Sequence, residues 1–119
     1  MKYIDLTYLN EVAGNDQELF NELVNIFLTQ MEELKNIINN AVKQQDYELI
    51  KQAAHKIKSS LRTFGAYTLA SKFEEIETNN RLETYSDLEQ HLSELLSEVE
   101  ATSQELKAYK NQKLNKSTQ

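Results

Sequence analysis

The 119-residue sequence contains no cysteine, no proline, no tryptophan and only two glycines, Gly14 and Gly65. Without cysteine there is no disulfide framework, no thiol nucleophile and no zinc knuckle. With so few turn residues, hairpins, β-sandwiches and Gly-rich nucleotide loops lack the chemistry they need. No apolar run is long enough for a transmembrane helix or for the h-region of a secretory signal. Cations are outnumbered, 13 against 19 anions, for a net charge of −6. That balance argues against nucleic-acid or membrane-surface partners. A phosphate-binding glycine loop, a hydrolytic triad and an HExxH helix are all missing, which makes an independent kinase or hydrolase the least favoured reading.

What is present is helical periodicity throughout, within the length of one domain. Ile4, Leu6, Leu9 and Val12, ending at Gly14, predict a short amino-terminal helix or arm. Asn15 is placed as an N-cap, with Glu18 completing a capping box, for a long helix over about 16–44. Its buried stripe is Phe20, Leu23, Val24, Phe27, Met31, Leu34, Ile38 and Ala41. Leu19, Ile26, Leu28 and Ile37 widen that stripe and are assigned to core packing.

Asp46 is placed as the cap of a second long helix running to about Phe64, with Ile50, Ala53, Ala54, Ile57, Leu61 and Phe64 facing inward. Gly65 supplies the left-handed terminus. A third helix over about 66–79 buries Ala66, Leu69, Ala70, Phe73 and Ile76. Ser86 and Glu89 form a capping-box signature for a last helix to about Tyr109, carrying Leu88, Leu92, Leu95, Val99 and Leu106. The expectation is an all-α, antiparallel up-and-down four-helix bundle with a short amino-terminal helix or arm, over 1–110, followed by a polar tail over 111–119.

At about 100° per residue, His55 falls roughly 160° from the buried stripe of its helix and is predicted to face solvent. Lys51, Lys58, Ser59 and Arg62 share its face. From Lys51 to Arg62 there are four basic residues and no acidic one, in a chain that is otherwise strongly acidic. A patch of clustered cations is not explained by stability, since like charges repel, and it suits an anion. An exposed neutral imidazole in that setting is a candidate nucleophile for a phosphoryl group. His91, between Leu88 and Leu95, has no cationic neighbours and is assigned a structural role.

The run Ala54-His55-Lys56-Ile57-Lys58-Ser59-Ser60, followed by Phe64-Gly65-Ala66 and Leu69, resembles the signature of the histidine-containing phosphotransfer (HPt) domain. The resemblance implies that His55 accepts a phosphoryl group from a receiver-domain aspartate and passes it to another receiver, in a two-component phosphorelay. It implies that Lys58 steadies the phosphoryl oxygens, and that Lys51, Ser59 and Arg62 border the phosphate or the docking receiver. Ser59 departs from the glycine that many relatives carry. Glu77 and Arg81 lie at the offset where relatives place a side chain that hydrogen-bonds the histidine. The partners implied are receiver domains of response regulators or of a hybrid sensor histidine kinase. No bound cofactor or metal is implied, Mg²⁺ being supplied by the receiver. The chain is then a cytoplasmic, monomeric carrier; the competing reading is a helical adaptor that is never phosphorylated.

Overall fold

The computed structural model describes the backbone of residues 1–117 and the side chains of residues 1–113. The helices are α1 (Thr7–Ala13), α2 (Gln17–Gln44), α3 (Tyr47–Thr63), α4 (Tyr67–Thr78) and α5 (Leu88–Ser117), with a 3₁₀ turn at Leu82–Thr84 before α5. No strand occurs among the described residues. Helix α2 packs on α3 and α5, α3 on α4, and α4 on α5, closing an up-and-down four-helix bundle with α1 laid against α2. The molecule is a rod of 54 × 21 × 21 Å.

The start of α2 lies one residue later than the sequence suggests. Asp16, not Asn15, is the N-cap, and its carboxylate accepts a 2.9 Å bond from the Leu19 amide. A carboxylate is favoured there because it both satisfies a free amide and complements the positive end of the helix dipole. Asp46 caps α3 as expected, accepting from the Leu49 amide at 3.1 Å. Helix α2 ends without glycine: Gln45 takes the left-handed conformation at φ 55°, and the Asp46 amide closes the turn on the Ala41 carbonyl. Helix α5 begins at Leu88, one residue after the position the Ser86–Glu89 box implies, and the Asp87 carbonyl accepts its first bond, from the His91 amide.

The core follows the predicted stripes closely. Phe27 of α2 stacks on Phe64 at the end of α3, ring centroids 4.2 Å apart, and pins the level at which the two helices cross. Two additions to the α2 stripe are not core: Ile26 and Ile37 are 55% and 40% exposed. A helix with two packed neighbours and α1 across one end has no further surface to cover these positions. Val12 is exposed as well, whereas Leu6, at the amino-terminal cap of α1, and Leu9, on its inner face, are buried. Leu82, in the 3₁₀ turn, belongs to the core although no periodic pattern marks it.

The segment before α1 is tied to the far end of the chain. The Glu105 carboxylate on α5 accepts the backbone amides of Lys2, Tyr3 and Ile4 at 2.9–3.2 Å. The Asp5 amide then donates to the Phe64 carbonyl at 3.1 Å, laying the segment directly over Gly65. The polar tail expected after residue 110 is instead helix as far as Ser117, because nothing in Lys110–Ser117 breaks a helix. Lys113 sits 3.8 Å over the Phe20 ring, and Lys110 donates to Asn25 at 2.6 Å. Thr118 and Gln119, the end of that expected tail, lie outside the described residues.

Candidate functional site

Burial of Ile50, Ala54, Ile57 and Leu61 fixes the rotation of α3 and turns His55 outward, its side chain 72% exposed. Helix α4 runs back alongside α3 after the Gly65 reversal and brings Glu77 to the imidazole. Glu77 Oε1 is hydrogen-bonded to His55 Nδ1. An ionised carboxylate only accepts, so Nδ1 carries the proton and the lone pair of a neutral ring resides on Nε2. Among the described residues Nε2 has no hydrogen-bond partner.

The other oxygen of the same carboxylate, Oε2, is ion-paired with Lys58 Nζ. Lys58 lies one turn from His55 and is only 13% exposed, its ammonium directed to the carboxylates of α4. Glu74, one turn before Glu77, stands 3.6 Å from Lys58 and 3.7 Å from Arg62. The Lys58 ammonium is the main reason that the Glu77 carboxyl lies below the usual carboxylate range; burial opposes the shift, and the bond to His55 adds to it.

Lys51 lines an open depression with Glu48, Gln52, His55, Lys56 and Glu77. Ser59 is exposed one turn beyond His55, with its carbonyl accepting from the Thr63 hydroxyl. Arg62 is directed to Glu74 rather than to the imidazole. Arg81 sits in the turn after α4, its amide bonded to Asn79 and its carbonyl to Thr84; among the described residues no bond or ion pair joins it to His55.

The cationic window read from α3 alone is therefore partly neutralised in space. Helix α4 sets Glu74 and Glu77 against it, so Lys58 and Arg62 are both charge-compensated. Sequence reasoning identified Glu77 but not Glu74. The signal for Glu74 was available: it precedes Glu77 by three residues on one face of a helix that must run antiparallel to α3, where Lys58 and Arg62 are four apart.

The profile of the Hpt domain family matches residues 22–104, a span that contains α3, α4 and every side chain of this site. The chain belongs to the Hpt domain family. It is a histidine phosphotransfer protein of a phosphorelay. The fold is similar to the crystal structure of histidine-containing phosphotransfer protein B (HptB) from Pseudomonas aeruginosa PAO1, with a TM-score of 0.80 over 93% of this chain and 96% of that one, at 18% identity. None of the curated proteins compared by sequence matches the chain. Among the described residues of this Hpt protein, no helix is long and apolar enough to cross a membrane.

Proposed function

We propose that His55 is the phosphoacceptor, taking a phosphoryl group from the aspartyl phosphate of one receiver domain and giving it to the aspartate of another. The observation that carries this reading is the anchoring of Nδ1 by Glu77 on an otherwise exposed ring. The bond supports the tautomer with a free lone pair on Nε2 and limits rotation of the ring, so the nucleophile is oriented before a partner arrives. In the forward step the Nε2–P bond forms as the P–O bond to the receiver aspartate breaks, and the electron pair leaves on that carboxylate. The reverse chemistry loads the second receiver.

Lys58 stabilises the phosphoryl oxygens once the docked receiver has excluded water, where a charge-assisted contact is strongest. Lys51 lines the depression at His55, Ser59 is exposed one turn beyond it on the face a receiver would approach, and Arg62 steadies Glu74. Arg81 has a docking role at most. Mg²⁺ belongs to the receiver and this chain holds no cofactor. The carrier acts as a cytoplasmic monomer without kinase or hydrolase activity of its own.

The test is incubation with a phosphorylated receiver domain and Mg²⁺, read by intact mass and by acid lability of the adduct. Wild-type protein is expected to gain one acid-labile phosphoryl group and His55→Gln none. An adduct that survives in the variant would place the acceptor elsewhere, and no adduct with any receiver would favour the adaptor.

A further inference from the structure

Glu77 does two things with one carboxylate. Oε1 holds His55 Nδ1, and Oε2 holds the Lys58 ammonium. Both partners belong to the reaction proposed above, and the residue that joins them comes from a different helix. Lys58 is thus not waiting unengaged for a phosphoryl group: in the unphosphorylated protein its charge is already compensated by Glu77, with Glu74 at 3.6 Å as a second anion.

We infer that Glu77 is a positioning residue that exchanges partners during the reaction, holding Lys58 while the site is empty and yielding it to the phosphoryl oxygens as the Nε2–P bond forms. This inference rests on His55 being the acceptor. The accounting of charge supports it. A phosphoryl group on Nε2 brings anionic oxygens beside a lysine that has one near carboxylate to give up. The ring, now substituted on Nε2 and still protonated on Nδ1, becomes cationic. Glu77 then loses one cation and gains another without moving helix α4: Lys58 turns toward phosphate, and the Nδ1–H bond becomes charge-assisted. No proton leaves the ring in the step; the transferred PO₃⁻ adds one negative charge to the site, which Lys58 and the cationic ring face from either side.

Exchange also explains the burial pattern. Lys58 is mostly covered and His55 mostly exposed, so the phosphate arrives on the open ring and the ammonium has only to turn from Glu77 to meet it. Glu74 remains beside Lys58 in either state, paired with Arg62 across the seam.

The consequence is a specific non-additivity. In the native protein Lys58 must be drawn from Glu77 before it helps, so its removal costs only the difference between two charged contacts. With Glu77 neutralised, only the more distant Glu74, at 3.6 Å, competes with the phosphoryl group for Lys58, and removal of the lysine costs more. The experiment measures phosphohistidine formation from phosphoramidate, a small donor whose P–N bond breaks with ammonia as the leaving group, for wild type, Lys58→Ala, Glu77→Gln and the double variant. The loss of rate caused by Lys58→Ala is expected to be at least about threefold greater in the Glu77→Gln background than in the native one, the size of coupling usual for side chains in contact. Equal losses in the two backgrounds would overturn the exchange.

A second readout needs no phosphoryl transfer. Imidazole ¹⁵N shifts of His55 are expected to report Nδ1–H in wild type and in Glu77→Gln, whose amide oxygen still accepts, and a shift toward Nε2–H in Glu77→Ala. An unchanged tautomer in Glu77→Ala would remove the positioning role. His55→Gln, run in parallel with phosphoramidate, separates the two failures: an adduct on that variant overturns the acceptor assignment itself, whereas additive losses with His55 still required overturn the exchange alone.

Discussion

The backbone of Asp5 occupies the space that a side chain at Gly65 would need. A Cβ on Gly65 would overlap the Asp5 carbonyl oxygen and amide nitrogen, and Gly65 is also left-handed at φ 70°. Gly65→Ala is therefore expected to cost about 2–4 kcal/mol, through strain and through displacement of the amino-terminal segment. Chemical denaturation checks this, and a loss below about 1 kcal/mol would mean that the segment moves aside freely.

His55→Gln should leave stability within about 0.5 kcal/mol of wild type, since an exposed side chain outside the core is being changed. A thermal melt is sufficient. Substantial destabilisation would contradict the outward orientation of the ring.

The contrast between two α2 residues tests which part of the wide stripe is core. Phe27→Ala removes a buried ring stacked on Phe64 and is expected to cost about 3–5 kcal/mol. Ile37→Ser, on the exposed edge beside Lys56 and Ser60, should change stability by less than about 0.5 kcal/mol. Comparable losses for the two would show that Ile37 is packed in solution.

Acid stability should depend on Glu105. Burial alone would raise its carboxyl, but the amides of Tyr3, Lys2 and Ile4 more than offset this, and it lies below the usual carboxylate range. A folded-state value below the unfolded one stabilises the protein above the unfolded value, near pH ~4.3, and that contribution disappears as pH falls through the folded value. Glu105→Gln is expected to lower stability at neutral pH by about 1–2 kcal/mol and to flatten the decline below pH ~4. Parallel acid limbs in wild type and variant would assign the pH dependence to other carboxyls, such as Glu100 or Glu77.

Much of this was legible in the sequence because helices announce their buried face locally. The stripes of α2, α3 and α4 follow from period alone, and with α3 fixed the outward placement of His55 follows too. Hidden from it were properties that belong to pairs of distant segments. Gly65 reads as a helix terminus, but its second requirement comes from Asp5, sixty residues earlier in the chain. The basic run on α3 reads as wholly unpaired until α4 sets Glu74 and Glu77 beside Lys58 and Arg62. Periodicity likewise overstated the width of the α2 stripe, since it counts apolar residues without knowing how many neighbours the helix has. The end of α5 was placed too early because a polar composition suggests a loose tail, while Lys113 and Lys110 find partners on α2.

The rod shape has a kinetic meaning. His55 stands on the flank of a body 54 Å long and 21 Å across, and with His55 as the acceptor proposed above a receiver would have to cover that flank to reach Nε2. On that proposal donor and acceptor would compete for one footing, and the carrier would work by turns: loaded, vacated, and only afterwards discharged. A relay built this way would obey ping-pong kinetics, and an excess of idle receiver would act as a brake on the signal it is meant to collect.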